Sequence, residues 1–371
     1  MTKGVIIFSG YNPRGIVAFM RTLVKYNVPF GVIAKSPDDE IFQTIYKEHV
    51  AAIRTLKQLD ICELTDCIQA VKKKIGAKKY IIAPSTEYLN RHILEHRMEF
   101  EALECVVPLV DKKLYETISD KRSFEELCKQ HGIQVPVKYK AIDEAKYPFV
   151  AKPNTYFSSD GGIYAPSLIF NENDKQKFIV NHPVKDFYFQ DYVTGISHYL
   201  LYYFMRDGKV YKLSQQNYIQ QPFGKSMIAA RSTQFYNHEE SSRYEELFRS
   251  QNFRGLVMVE VKEQDDRLYM IEANPRFWGP SQLFVDAERN LFEAFLHDWG
   301  LLTESPSYAD ETKEVDYFWF GGFIEALSSK NKVAYHTYSA DEYAEDLSTW
   351  LLSEIYNRDD TRQLFNKEIG A

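Results

Sequence analysis

Gly255-Leu256-Val257-Met258-Val259-Glu260-Val261 and, beyond Asp265-Asp266, Leu268-Tyr269-Met270-Ile271-Glu272-Ala273-Asn274 decide how this chain is read. Each run is mostly apolar with a carboxylate embedded in it, the mark of a strand covered on both faces. The acidic pair between them is a turn signal, so the two runs form a hairpin. A loop of Asp265, Asp266 and Arg267 sets Glu260 directly opposite Glu272, and Asn274 shares their face because strand side chains alternate. Carboxylates that face each other repel unless something neutralises them. With an amide oxygen beside them they are hard ligands suited to Mg²⁺, which also takes substrate phosphate oxygens. A register shifted by one would instead turn one glutamate to solvent, and the hairpin alone leaves that alternative open.

The chain around the hairpin has 371 residues, enough for two or three domains, with 44% apolar and 26% charged residues. That is the balance of a soluble globular protein, and it excludes disorder, collagen and a disulfide mini-protein. Its 45 basic and 52 acidic residues leave a net charge of −7. Without long basic runs, such a chain is unsuited to a nucleic-acid backbone. The most apolar short run, residues 317–324, falls far short of the roughly 20 residues of a membrane span. Cys62, Cys67, Cys105 and Cys128 show no zinc spacing. No signal peptide is legible at the N-terminus, so reduced thiols and a cytoplasmic location are expected.

Upstream, an apolar run over 5–8 closes on Ser9-Gly10 and is followed by helical spacing over 14–26. Strands over 30–34, 51–53, 80–83 and 105–107 and a helix around 63–75 continue the alternation, which predicts a parallel sheet with helices on its faces. From Ser119, expected to cap a helix that stops at Gly132, the pattern becomes antiparallel. A hairpin with a primed turn at Asp207-Gly208, a strand over 227–236 and a helix over 239–252 precede the carboxylate hairpin. Past residue 300 the chain turns aromatic and acidic. The expected architecture is an α/β N-terminal domain with a parallel sheet (1–118), an α+β domain with antiparallel sheets (119–300) and a small C-terminal cap (301–371).

The hairpin and its continuation, Met270-Ile271-Glu272-Ala273-Asn274-Pro275-Arg276-Phe277-Trp278-Gly279, resemble the metal-binding signature of the ATP-grasp ligases. The carboxylate–amine ligases and the carbamoyl phosphate synthetase and biotin carboxylase branch are most similar. Asp120-Lys121, opening a helix that ends in Gly132-Ile133-Gln134-Val135-Pro136, is similar to the start of that fold. Tyr147-Pro148-Phe149-Val150-Ala151-Lys152-Pro153 resembles its second lysine strand. Ser158-Ser159-Asp160-Gly161-Gly162 stands where the family has a small-residue phosphate loop. Phe189-Gln190-Asp191-Tyr192-Val193-Thr194-Gly195 resembles its adenine-contacting hinge. In this resemblance, 1–118 is the Rossmann-like domain that precedes the ATP-grasp domain.

The resemblance implies ATP and Mg²⁺, with Mn²⁺ as a substitute. Glu260, Glu272 and Asn274 would hold the metal, and Lys121 and Lys152 would reach the phosphates. Ser158, Ser159 and Gly161 would close over them, and Gln190, Asp191, Tyr192 and Val193 would meet the adenine. His198 lines up with a nucleotide-contacting histidine of biotin carboxylase-like enzymes, or is a core histidine. The glutamate that many ligases place nearby for the ribose is missing from Ile196-Ser197-His198. Arg276 would hold the transferred phosphoryl group, while Arg231 suits either a substrate anion or a structural ion pair. Asn12 and Arg14 sit in one strand-to-helix turn and Ser85, Thr86 and Glu87 in another. Ligands of parallel sheets bind at such turns, although capping a helix would also explain these residues. Gly10 and Gly15 do not make the dinucleotide fingerprint, which excludes NAD.

The implied activity is ligation: ATP converts a substrate carboxylate into an acyl phosphate with release of ADP, and an amine attacks it. A bicarbonate-activating carboxylase or carbamoyl-transfer enzyme and a non-catalytic ATP-binding sensor are the rival readings. The partners expected are small molecules, without nucleic acid or membrane, and a second copy of the chain in a homodimer.

Overall fold

In the computed structural model, which describes residues 2–155, 158–159, 161–328 and 333–370, the alternating runs of the N-terminal region become a parallel sheet. Its strands are β1 (Lys3–Phe8), β2 (Phe30–Ala34), β3 (Val50–Ile53), β4 (Lys79–Ile82) and β5 (Cys105–Val106), in the order β3-β2-β1-β4-β5. The central strand reads as a continuous apolar run because both its faces are covered. Val5 and Ile7 join a core with the helix Pro13–Lys25, and Ile6 and Phe8 join another with the helix Ile61–Ile75. The chain leaves β1 towards β2 on one side and β4 lies on the other, so a crevice opens beyond the carboxyl ends of β1 and β4.

A small antiparallel sheet follows, made of β6 (Lys138–Tyr139), β7 (Phe149–Pro153), β8 (Ser167–Ile169) and β9 (Phe187–Asp191) in the order β6-β9-β7-β8. Phe149, Phe178, Phe187 and Phe189 form its own core. The large sheet contains β10 (Ile196–Phe204), β11 (Val210–Gln220), β12 (Met227–Thr233), β13 (Gly255–Gln264), β14 (Arg267–Asn274), β15 (Asp316–Phe318) and β16 (Ala334–Tyr335). The order is β14-β13-β10-β11-β12-β15, with β16 paired to β11. One face of this sheet packs Leu200, Tyr202 and Val259 against Phe124 and Phe248. The other sets Tyr199, Leu201 and Met258 into the same core as Phe19 and Phe277, against the N-terminal domain.

Several local expectations change. Asp120, not Ser119, caps the helix Lys121–Gln130, accepting from the N–H groups of Arg122 and Ser123; Ser119 ends the preceding helix, Lys112–Ser119. The turn at Asp207-Gly208 is longer than a two-residue primed turn: Gly208 N–H donates to the Met205 carbonyl (3.1 Å) and Gly208 takes φ +91°. The strand at 227 stops at Thr233. The segment from 301 onwards is no separate cap. Its strands β15 and β16 complete the large sheet, and its Ile355, Tyr356 and Leu364 enter the core beneath the first helix. Among the described residues no helix is long and apolar enough to cross a membrane, and all four cysteines are free thiols.

Candidate active site

The carboxylate hairpin has the expected facing pair, reached by a different route. Asp265 and Asp266 take φ of 52° and 57°, closing a two-residue turn in which Gln264 pairs with Arg267 and Val261 with Met270. A bulge at Ile271 then adds the residue that a longer loop would have supplied, so Glu260 faces Glu272 and Met258 faces Asn274. The bulge also turns the Ile271 carbonyl to Lys152, whose Nζ donates to it at 3.1 Å.

Cations crowd this pair. Lys121, at the first position of its helix, donates from Nζ to Glu272 Oε2 at 2.6 Å. Asn274 Nδ2 donates to Glu272 Oε1 at 2.8 Å, and Asn274 Oδ1 accepts from Arg276 Nη2 at 3.2 Å. The Gln190 carboxamide, oriented to donate to Glu125 at 2.9 Å, accepts from Lys152 Nζ at 3.0 Å. Glu125 is fully buried and also accepts from Tyr188 Oη at 3.0 Å, which locks the back of the cluster.

Burial pushes the Lys152 ammonium down to about 8, and the neighbouring Lys121 charge works in the same direction. Burial and the facing carboxylate of Glu272 raise Glu260. At Glu272 itself burial is outweighed by the Lys121 charge and hydrogen bond, which hold it low. One carboxylate is thus held ionised while the other leans towards its neutral form, and a divalent cation would let both ionise. Among the described residues no three His, Cys, Asp or Glu side chains converge. The protein's offer is two carboxylates and an amide, which leaves the other positions to phosphate oxygens and water, as Mg²⁺ prefers. The donor set fits that ion.

Two cavities meet here. One, of about 620 Å³, lies between the small and large sheets and is lined by Lys121, Lys152, Gln190, Asp191, Tyr192, Val193 and Glu260. The other, of about 600 Å³, lies between the large sheet and the turns of the parallel sheet, where Asn12, Arg14, Thr86, Glu87, Asn274 and Arg276 line it. Glu272 lines both. Asn12 caps its helix and clamps the domains, donating from Nδ2 to the carbonyls of Ser85 (3.1 Å) and Phe277 (3.2 Å). Ser85 stands behind the wall, fully buried. Thr86 caps the helix Glu87–Glu95, and Glu87 is engaged by Arg91 (2.6 Å) and Tyr115 (2.8 Å).

Three sets of candidate residues stand away from the carboxylate pair, and for His198 and Arg231 the structural alternative holds. His198 lies one residue from Tyr199, which pairs with Glu260, so alternation turns it to the opposite face. There it stacks on Phe235 with centroids 3.9 Å apart, and burial with the nearby His238 lowers it to about 4: it is a core histidine. Arg231 also faces away, in an ion pair with Asp316 at 2.7 and 3.2 Å. Ser158, Ser159 and Gly161 do not line the cleft. Ser159 donates from its N–H and hydroxyl to Asp186 (3.0 and 2.6 Å), and Gly161 N–H donates to the Ser158 carbonyl. Asp160 lies outside the described residues.

Two residues of the first cavity were missed. Lys262 follows Glu260 by two on the same face, so the alternation could have found it. It is buried, with Nζ 5.1 Å from the Tyr192 ring centroid and no hydrogen-bond partner among the described residues. His336 arrives with β16 and lies 3.0 Å from Gln220 Oε1 through its Nε2. Nothing local in the sequence announced it.

A parallel α/β domain joined to two antiparallel sheets that enclose a nucleotide-sized cleft, with paired carboxylates at its end, defines a class of nucleotide-binding clamp. Residues 118–280 match the family model of the ATP-grasp domain, and this part of the chain is an ATP-grasp domain. No curated protein matches the sequence. Among solved structures, N5-carboxyaminoimidazole synthetase from Staphylococcus aureus, complexed with ADP, is similar with a TM-score of 0.63 at 14% identity, over 94% of this chain and 96% of that one. Biotin carboxylase from Campylobacter jejuni has a TM-score of 0.61 at 12% identity, over 85% and 75%. Rhizobium etli pyruvate carboxylase has a TM-score of 0.58 at 14% identity; 80% of this chain is covered, but the match spans 28% of that much longer one. At such identities the likeness is one of fold.

Proposed function

We propose that the protein is an ATP-dependent, Mg²⁺-requiring ligase that activates a substrate carboxylate as an acyl phosphate with release of ADP, and joins the acyl group to an amine with loss of inorganic phosphate. The supporting observation is the Glu260–Glu272 pair with Asn274, standing where the two cavities meet amid Lys121, Lys152 and Arg276. Glu260, Glu272 and Asn274 would hold Mg²⁺, or Mn²⁺ in its place, and the ion would neutralise charge on the phosphate oxygens. Lys121 and Lys152 neutralise the phosphates from the cleft side. Lys152 is suited to this because its own contacts are a carbonyl and an amide, not a carboxylate. Asp191, Tyr192 and Val193 bring the hinge backbone to the base. Arg276, just past the end of β14, presents its planar fork to the transferred group from the second cavity. Tyr199, Met258 and Trp278 line that cavity and limit water around an acyl phosphate that would otherwise hydrolyse. Its volume of about 600 Å³ suits an organic substrate better than bicarbonate alone.

Release of ADP and AMP from Mg·ATP across a grid of carboxylates and amines tests the proposal, with Glu272→Gln alongside. ADP that appears only when both substrates are present and vanishes in the variant supports it. AMP as product, or undiminished turnover by the variant, would overturn it. ADP formed with bicarbonate alone would favour the carboxylase, and ATP binding without turnover the sensor.

A further inference from the structure

The second cavity carries positive charge that the protein does not answer. Arg14 is only 8% exposed, with its guanidinium carbon 3.8 Å from the centroid of the Trp319 ring. Its Nη1 donates to the Met227 carbonyl at 2.9 Å and to Tyr317 Oη at 3.1 Å. Nε and Nη2 have no hydrogen-bond partner among the described residues. These two nitrogens form the edge that grips a carboxylate or phosphate with parallel bonds. Gly279 packs closely against the guanidinium, since a Cβ there would come within 2.9 Å of Arg14 Cζ and Nη2 and 3.1 Å of Nη1.

The nearby carboxyl groups do not neutralise it. Glu87 and Glu272, which line the cavity, are matched by Arg91 and Lys121, each at 2.6 Å. Glu368, at the edge of the Trp319 ring, accepts from the indole N–H at 3.1 Å, and burial raises it to about 8; burial raises Glu40 as well, and neither forms an ion pair with Arg14 among the described residues. Lys225 and Arg276 add further cations to the lining. The contrast with Arg231 is direct, because that arginine has its own aspartate. A buried guanidinium without a direct ion-pair partner is expensive in a finished core, and here it lines an open chamber.

We infer that the second cavity takes a substrate bearing an anionic oxygen group other than the carboxylate that is activated, and that Arg14, braced by Trp319 and Tyr317 of the C-terminal segment, grips this second anion. The inference rests on the ligase reading for which group is activated, but not for the anion grip itself.

Thermal unfolding in saturating Mg·ADP, titrated with succinate and separately with inorganic phosphate, tests the grip and separates a carboxylate from a phosphate. The wild type is expected to be stabilised by at least one of them, and Arg14→Gln to need roughly 10- to 100-fold more anion for the same shift. Arg14→Lys keeps the charge without the fork and is expected to fall between the two, which guards against a Gln variant that fails to fold. Equal responses of the wild type and both variants would overturn the inference. In the turnover grid, KM for the active anionic substrate is expected to rise by a similar factor in Arg14→Gln. Neutral amide or ester analogues used as well as the acids would also overturn it. A grid with no turnover would remove the ligase reading, while the anion titration would still decide this one.

Discussion

Replacing Lys152 by methionine should strengthen the fold while removing nucleotide binding, and the size of the effect follows from its surroundings. The side chain is 3% exposed, and burial together with the Lys121 charge lowers its ammonium from 10.5 to about 8. At about 1.4 kcal/mol for each tenfold change in proton affinity, holding it charged near pH 7 costs the folded protein roughly 3 kcal/mol. Methionine is similar in length and uncharged, so it removes that penalty. It also strips the Ile271 carbonyl and the Gln190 amide of their donor, a loss of roughly 1–2 kcal/mol. The variant should therefore be more stable than the wild type by about 1–2 kcal/mol near pH 7. Because the folded-state pKa lies below the unfolded one, the penalty is complete below about 8 and is relieved as pH rises from there towards 10.5. The wild type should accordingly gain on the variant across that window. Urea unfolding of both proteins near pH 7 and near pH 9.5, with calorimetric ATP titration, measures all three quantities. A variant less stable than the wild type near neutrality, a stability difference that stays constant with pH, or an unchanged ATP affinity would refute the claim that a charged lysine is held there for a ligand.

Arg231→Gln should leave turnover and ATP affinity unchanged and lower stability by only about 0.5–1 kcal/mol, because its pair with Asp316 is partly exposed; steady-state kinetics with urea unfolding checks both. His198→Phe should likewise keep the ATP dissociation constant of the wild type, since the ring stacks on Phe235 away from the cleft. Gly279→Ala should displace the Arg14 guanidinium and raise KM for the substrate of the second cavity without changing ATP affinity, which kinetics and calorimetry together would show. Lys262→Met should weaken ATP binding by roughly tenfold, as expected when one hydrogen bond from a charged group is lost. An unchanged calorimetric isotherm would show that Lys262 does not meet the nucleotide.

The facing carboxylate pair was legible because strand alternation is a property of neighbouring residues. Glu260, Glu272 and Asn274 lie on one face in the structure as the sequence implied, although a tighter turn and the bulge at Ile271 replaced the longer loop. The parallel sheet was legible for the same reason: apolar runs and helical spacing are local signals that survive whatever the chain later packs against. Lys152, carried at the end of Phe149-Val150-Ala151, was aimed inward by its own strand.

Which face a strand presents, and to what, is settled by partners remote in the chain. His198 and Arg231 sit on strands that the sequence located well, but their direction followed from pairing with β13 and β15. Asp316, which claims Arg231, lies 85 residues away. His336 in the first cavity and Trp319 beneath Arg14 come from a segment whose aromatic composition left a pocket wall, a core and a dimer contact open. Composition and periodicity record how each element buries its own apolar side. They do not record which distant element supplies the neighbouring wall, because that choice depends on the free energy of packing the whole chain.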